Sequence, residues 1–346
     1  MNVCRFFMLT LGLTITSLFT ACSGSDELSE MDPIVENANR PSPPPRPDNS
    51  NEDNNTNNNS NDNNNTNTTN GNCSGLSTFF INLSAQSCNV ALSGSSIYQE
   101  TRNTATDTRT ITCNSIPDHL VGSFPNSGNP NTIREQRNTY QLDLTPSIAG
   151  QSTGGQGYEF GILFSGVTMD PYTAEFFQGS NGQTNRDWNI TTLTSVVNLG
   201  LDCNNAHVQP SGKYHYHGTP NAMIEEMGFN GNEMMKVGYA ADGFPIYYKY
   251  GYDEAGSRLI ELQSGYQLKT TDRGGDGISA PAGCPDGTYF QDYEYASGVS
   301  LLDACNGRWG KTPESDNEYY YVITDNFPSS PLCFSGTPSS DFRAGQ

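Results

Sequence analysis

The sequence predicts a mainly β fold: a single disulfide-containing, β-rich domain with a few short helices, preceded by a disordered tether. Short runs of Tyr, Phe, Val and Ile alternate with clusters of Gly, Asn, Pro and Asp, which is typical of strands joined by turns. The 35 Gly and 20 Pro among 346 residues disfavour a helical bundle. Nine cysteines offer several disulfides to a domain of this kind.

The first residues have the form of a secretory signal that ends in a lipid-attachment site. Arg5 precedes an apolar run over residues 6–21, and Cys22 follows it. The run is too short and too rich in threonine for a membrane span. Residues 1–21 therefore resemble a bacterial lipoprotein signal peptide, which implies a lipid on Cys22 and a place in the bacterial cell envelope, facing the periplasm or the cell surface. Because Phe19 stands where leucine is usual, a lipid-free secreted form is the alternative.

A polar linker is predicted for residues 22–72. An acidic stretch is followed by a proline-rich segment at 40–47 and by an Asn/Asp/Thr-rich tract. None of these can bury enough apolar surface to offset the entropy lost on ordering, so we expect a disordered tether. Residues 73–346 contain no further low-complexity segment and are predicted to form one domain.

The formal net charge of −20 restricts the partners. Such a charge repels phosphate backbones and anionic lipid headgroups, so nucleic acid is excluded and membrane contact is expected only through the lipid on Cys22. A metal ion or a small ligand remains compatible with the charge.

Six runs rich in β-branched and aromatic residues are predicted to be strands. They are residues 78–83, 139–144, 159–164, 237–239, 246–250 and 319–324. One short helix is also predicted, with Thr219 as its cap, Pro220 in its first turn and Gly228 at its end.

Three of the four histidines lie within residues 204–218, where they alternate with tyrosine. If residues 214–217 form a strand, His215 and His217 lie on one face and Tyr214 and Tyr216 on the other. The tyrosines are then expected to pack in the core.

The position of His207 depends on the length of the turn in this segment. A three-residue loop of Pro210, Ser211 and Gly212 pairs His207 with His215 and puts all three histidines on one face. A four-residue loop turns His207 away. Glycine at the third position favours the shorter loop, because that position requires a left-handed backbone.

Three imidazoles on one face can supply nitrogen ligands to copper or zinc. The alternative is a structural patch of neutral rings that are hydrogen-bonded to backbone carbonyls. His119 is a candidate fourth ligand from a distant loop, with Asp118 as a carboxylate that would orient it.

Carboxylates provide weaker candidates. Asp170 and Glu175 could form an acid pair or belong to a turn, and Asp242 is interpreted mainly as a turn residue. Calcium is a less favoured cofactor than copper or zinc, because the spacing of its candidate ligands misses the EF-hand pattern. These ligands are Asp272, Asp276 and Asp286.

The motif His-Val-Gln-Pro-x-Gly-x-Tyr-His-Tyr-His-Gly at 207–218 resembles the signature of the YHYH-domain proteins, a family of secreted or surface-anchored proteins. Further similar segments are Ile-Pro-Asp-His at 116–119, Gly-Asn-Pro-Asn at 128–131, Gly-Val-Thr-Met-Asp-Pro at 166–171, Gly-Tyr-Ala-Ala-Asp-Gly-Phe-Pro at 238–245, Leu-Asp-Ala-Cys-Asn-Gly-Arg at 302–308 and Asp-Asn-Phe-Pro at 325–328. The resemblance covers most of residues 110–336.

The resemblance implies that all four histidines belong to family motifs. It also leads us to pair Cys305 with Cys333, since both lie in such motifs and close a loop of stabilising length. Seven cysteines remain after the signal and Cys22, so one thiol is expected to stay unpaired. Relatives carry a second Tyr-His-Tyr near their end, where this chain has Glu318 and tyrosines, and an arginine where it has Leu332.

The sequence thus predicts a lipid-anchored envelope protein that binds copper or zinc through His207, His215 and His217. One alternative is a secreted enzyme in which a histidine acts with a carboxylate as acid and base; its class is open, because no familiar nucleotide-binding or hydrolase motif occurs. Another alternative is a non-catalytic surface binding module with structural histidines.

Overall fold

An eight-stranded mixed sheet forms the centre of the domain. The computed structural model describes residues 73, 86–193 and 197–344. Its strands are β1 Tyr98–Asn103, β2 Thr108–Cys113, β3 Asn138–Asp143, β4 Thr153–Gly154, β5 Gly161–Leu163, β6 Thr168–Met169, β7 Phe176–Gln178, β8 Thr184–Asn189, β9 Ala206–Val208, β10 Tyr214–Tyr216, β11 Met235–Ala240, β12 Pro245–Tyr248, β13 Tyr250–Tyr252, β14 Leu259–Glu261, β15 Tyr266–Leu268, β16 Tyr293–Tyr295, β17 Gly307–Gly310, β18 Glu318–Ile323 and β19 Cys333–Phe334. The helices are α1 Asn221–Glu226 and two 3-10 turns, Phe290–Asp292 and Ser340–Phe342.

The strand order of the large sheet is β17-β18-β12-β11-β5-β6-β10-β9. Two pairs are parallel, β12 with β18 and β6 with β10, and the other pairs are antiparallel. A three-stranded sheet of β1, β2 and β3 lies beside it, and the remaining strands form two-stranded ribbons. The β9–β10 hairpin therefore stands at one edge of the large sheet and β17 at the other.

Aromatic side chains fill the core shared by these two sheets. Ile111 and Tyr140 from the small sheet join Phe160, Tyr216 and Tyr321 in one buried cluster. The ring of Phe160 stacks on that of Phe334 and meets Tyr321 edge-on, with ring centroids about 5 Å apart in both pairs. Burying one side chain of this size stabilises the fold by roughly 2–3 kcal/mol.

The mainly β prediction is confirmed, with differences at individual strands. The predicted strand 78–83 lies outside the described residues. The run 159–164 is reduced to β5, and the run 246–250 is interrupted because Lys249 adopts a positive φ of 28° between β12 and β13. The other three predicted strands correspond to β3, β11 and β18.

The predicted helix is present, but its cap was wrong. Thr219 makes no capping hydrogen bond; the side-chain oxygen of Asn204 instead accepts from the backbone N–H of Ala222 at 2.8 Å. Gly228 ends the helix as predicted, with a left-handed φ of 77° that allows the N–H of Phe229 to reach the carbonyl of Ile224.

Three disulfides join distant parts of the described chain. Cys305 pairs with Cys333, as the family resemblance implied. The other pairs are Cys73 with Cys284 and Cys88 with Cys203. Cys113, at the end of β2, is a buried free thiol.

The predicted signal peptide, Cys22 and the predicted linker lie outside the described residues. Within the described residues, no helix combines the length and the apolar character needed to cross a bilayer.

Replacing both Cys305 and Cys333 with serine should lower the free energy of unfolding by about 3–4 kcal/mol, because the bond closes a loop between residues 28 apart in sequence. Urea unfolding followed by tyrosine fluorescence measures this difference. The matched control is Cys113→Ala, which keeps all three disulfides and should cost about 1 kcal/mol. Equal unfolding midpoints for the double variant and the wild type would contradict the prediction.

Candidate metal centre

A tight hairpin at the edge of the large sheet carries the three clustered histidines. His207 on β9 pairs directly with His215 on β10. The backbone N–H of Gln209 donates to Lys213 at 2.9 Å, and that of Gly212 donates to Gln209 at 2.8 Å. Gly212 has a φ of 92°, so the predicted three-residue turn is confirmed together with its left-handed glycine.

The turn length puts His207, His215 and His217 on one face, with His217 directly after β10. Their ring centroids lie 4.6–4.8 Å apart. One ligand nitrogen from each ring can be chosen so that all three lie within 4.8 Å of one another, and the group contains no other described residue. Two nitrogens that each lie about 2 Å from one ion are at most about 4 Å apart. The three rings would therefore have to draw together by about 1 Å to hold a single ion.

Backbone carbonyls orient two of these rings. The Nδ1–H of His207 donates to the carbonyl of Leu199 at 2.8 Å, and that of His215 donates to Lys213 at 3.3 Å. Each bond selects the tautomer that leaves a lone pair on Nε2. The Nε2 atoms of His207 and His217 are 3.0 Å apart. A hydrogen bond from the distal ring nitrogen is also the usual support of a metal-bound histidine.

Burial keeps the three imidazoles neutral. It lowers the pKa of His207, and it lowers the pKa values of His215 and His217 well below the usual range, with a further contribution from the neighbouring rings. The Nδ1 of His217 is buried, and no acceptor lies within hydrogen-bonding distance and angle of it. The backbone of Asp170 is nearby and raises the pKa of His217, but the effect of burial is larger. Neutral imidazole is the form that binds metals.

The parallel neighbour β6 and the residue after it bring two side chains to the histidine face that the sequence does not predict there. Thr168 pairs with His215, and the N–H of Asp170 donates to the carbonyl of Tyr216 at 2.8 Å. Residues paired in register point to the same side of a sheet, so Thr168 and Asp170 border the histidine face. The hydroxyl of Thr168 is buried without a hydrogen-bond partner. Burial raises the pKa of Asp170 to about 7.

His119 is not among the clustered histidines. It lies on the opposite, tyrosine face of the hairpin, where its Nε2 is 2.6 Å from the hydroxyl of Tyr216. Its Nδ1 bonds the carbonyl of Leu120 at 2.9 Å, and Asp118 is exposed. The structure therefore does not bring His119 to the group as a fourth nitrogen, and Leu120 rather than Asp118 orients its ring.

The tyrosines of the hairpin are fully buried, as predicted. Tyr214 donates to Asp202 at 2.7 Å and also accepts from Asn204. Tyr216 bonds His119 and, at 2.8 Å, the hydroxyl of Ser165. The network satisfies both phenols away from water.

The other predicted carboxylates serve separate local structures. Asp242 accepts from Tyr321 at 2.5 Å in the core, next to a tight turn closed by the N–H of Gly243, and burial raises its pKa to about 6. Glu175 precedes β7, and its carbonyl accepts from Asn189.

Among the described residues, the three candidate calcium ligands do not form a group that could hold one ion. Asp276 accepts from the backbone of its own loop, and Asp286 pairs with Arg273 at 2.5 Å. Asp272 accepts from the N–H of Gly274. Each carboxylate thus has a partner of its own.

A protein-family model described as "YHYH protein" matches residues 139–336, more than half of the chain. The match includes the histidine hairpin, Asp170 and the Cys305–Cys333 pair; the segments at 116–119 and 128–131 precede it. Comparison with curated proteins and with solved structures gave no match.

In metal-free protein at pH 6.5, the rings of His215 and His217 should give the NMR signature of neutral imidazole, because burial holds their pKa values well below the usual one. Long-range ¹H–¹⁵N spectra measure this directly. The urea-unfolded chain is the control and should be half protonated near pH 6.5. Since the folded pKa values lie below the unfolded ones, these rings contribute stability that falls as the pH drops below about 6.5. Half-protonated rings in the folded chain at pH 6.5 would contradict the prediction.

Proposed function

The chain belongs to the YHYH protein family, and on that premise we propose that it holds a copper or zinc ion through His207, His215 and His217. The observation that carries the proposal is the convergence of three ligand nitrogens within 4.8 Å. Nitrogen ligands in this number are typical of both ions.

The chemistry of the ring nitrogens supports a metal rather than three structural histidines. Hydrogen bonding occupies Nδ1 in His207 and His215 and leaves Nε2 as a neutral donor. The Nε2 atoms of His207 and His217 face each other. Because the proton of neutral His207 is on Nδ1, these two atoms can share only the proton of His217. A cation satisfies several lone pairs at once, whereas a structural patch needs a proton donor for each.

The ion would have a buried site in this proposal. His215 and His217 are each 2% exposed, and ring movements of about 1 Å would bring the nitrogens to the distances that an ion requires. His207 is half-buried on the edge strand β9 and offers the route of access. When bound by these three histidines, copper or zinc would supply Lewis acidity, and copper would also supply one-electron redox chemistry.

Metal analysis and calorimetry of protein purified without a histidine tag test the proposal. The wild type should bind one copper or zinc ion, and His207→Ala should weaken binding roughly 100-fold or more through loss of a ligand. The matched control is His119→Gln, which alters the histidine on the opposite face and should keep one ion bound with similar affinity.

The proposal fails if the wild type contains no stoichiometric metal and binds added copper or zinc no more tightly than His207→Ala. Circular dichroism of both variants distinguishes a lost ligand from a lost fold. Absence of metal with a stable fold would favour the reading of the hairpin as a structural element of a surface binding module.

A second candidate function is a secreted enzyme that uses a histidine and a carboxylate. The position of Asp170 beside His217 supports this candidate, since a carboxyl whose pKa is about 7 can exchange protons near neutral pH. Catalytic turnover that persists in metal-free protein and is lost in Asp170→Asn would favour it over metal binding.

We also propose that the mature chain is anchored in the bacterial cell envelope by a lipid on Cys22, which lies outside the described residues. Three disulfides in the domain support export to an oxidising compartment.

In a bacterial host, the full-length chain should partition into the detergent phase of Triton X-114, and Cys22→Ala should move it to the aqueous phase. The physical reason is the loss of the acyl chains that drive partitioning. Cys113→Ala is the control for thiol removal and should stay in the detergent phase. Aqueous partitioning of the unaltered chain would indicate the lipid-free secreted form.

A further inference from the structure

An exposed tryptophan separates two clefts at the edge of the large sheet that lies opposite the histidines. Trp309 on β17 is 55% exposed, although its indole ring could have packed in a core. The ring lies 6.0 Å from that of Tyr319 at an angle of 68°. Both residues line both clefts, so the indole forms a ridge with a depression on each side.

The first cleft has a volume of about 380 Å³ and a buried arginine in its lining. Arg109 is 6% exposed, and its guanidinium carbon lies 3.6 Å from the ring centroid of Tyr239. Its Nε donates to Glu100 at 3.0 Å, while its Nη1 has no hydrogen-bond partner. A buried N–H without an acceptor destabilises the fold. An acceptor brought by a ligand would remove that cost.

The second cleft has a volume of about 460 Å³, and its lining combines charged side chains with apolar and aromatic ones. Arg308 lines it, with Nη1 donating to the carbonyl of Tyr252 at 2.9 Å. Asp303 also lines it and accepts from the hydroxyl of Tyr319 at 2.7 Å. These contacts fix the guanidinium of Arg308 and the carboxylate of Asp303. The guanidinium still has N–H groups that can donate, and the carboxylate still has a lone pair that can accept.

The charges around the two clefts balance, unlike those of the whole chain. The linings contain four basic and four acidic side chains, whereas the chain carries 17 basic and 37 acidic residues. The basic residues are Arg102, Arg109, Lys236 and Arg308, and the acidic residues are Glu254, Asp303, Glu314 and Glu318. Balanced charge favours a neutral ligand with many hydroxyls over an ion of either sign.

We propose that the two clefts bind a neutral oligosaccharide that crosses the indole of Trp309. One face of a pyranose ring presents C–H groups, which pack on an aromatic plane, while its hydroxyls both donate and accept hydrogen bonds. Carboxylates accept from these hydroxyls and guanidinium groups donate to them. Arg109 lines the first cleft, and its guanidinium is the candidate donor to a sugar oxygen there. The site is independent of the proposed metal centre, which lies at the opposite edge of the sheet.

Intrinsic fluorescence gives a direct readout, because the chain contains only two tryptophans. The second, Trp188, meets Tyr289 edge-on at 5.5 Å; phenylalanine preserves an aromatic ring there. In a Trp188→Phe background, neutral tetrasaccharides of the cello, malto and laminari series are titrated to about 5 mM, within the range of weak binding. At least one series should shift the emission of Trp309 with saturation, and EDTA should leave the shift unchanged.

Calorimetric titration of three further variants with the same sugar tests whether Trp309 contributes to the binding affinity. Trp309→Ala should weaken binding at least tenfold, and Trp309→Tyr should retain most of it because an aromatic plane remains. Val299→Ala is the matched control, since Val299 is also exposed and apolar but does not line either cleft. Its affinity should equal that of the parent.

Three results would overturn the proposal. One is the absence of saturable binding by every neutral series, and another is binding of only a uronate tetrasaccharide of the same length. The third is dimerisation in light scattering that depends on Trp309 and occurs without sugar binding. Trp309 is exposed, so Trp309→Ala should retain the fold, and unchanged circular dichroism verifies this.

Discussion

The two-sided character of the hairpin strand at 214–217 is the constraint on which the rest of the candidate site depends. Tyr214 and Tyr216 are buried in the core together with their hydroxyl groups. A buried hydroxyl that lacks a hydrogen bond destabilises the fold. Asp202, His119 and Ser165 provide these hydrogen bonds. A one-residue slip of the strand would break these bonds and reverse both faces. The anchoring of the tyrosines therefore holds the imidazoles in position from behind.

Local rules predicted the parts of this arrangement that neighbouring residues determine. The alternation of side chains and the left-handed glycine were sufficient to place His207 opposite His215 and the tyrosines in the core. The same kind of reasoning identified the small helix and its end at Gly228. Its cap was missed because Asn204, 18 residues before Ala222, takes the role that Thr219 was expected to play.

Contacts between distant segments could not be predicted in this way. The parallel pairing that brings Thr168 and Asp170 to the histidine face joins strands about 50 residues apart, and no periodicity encodes such a pairing. His119 lies 97 residues from Tyr216, so its sequence context gave no indication of the face on which it would lie. The sequence indicates Asp170 as a candidate carboxylate, but only the sheet register shows that it lies beside the histidine strand. The sequence does not predict that Trp309 is exposed, because its exposure depends on β17 being an edge strand of the large sheet.

The buried thiol of Cys113 has a consequence for the permanence of the three disulfides. Burial raises its pKa to about 11, so the thiol stays almost wholly protonated at pH 7. Only the thiolate attacks a disulfide, and a side chain that is 1% exposed cannot approach one. Once folded, the domain therefore carries an odd cysteine without a route to disulfide scrambling. Before the core forms, by contrast, all seven cysteines of the domain are candidates for pairing, and the burial of Cys113 at the end of β2 is what removes the seventh from exchange.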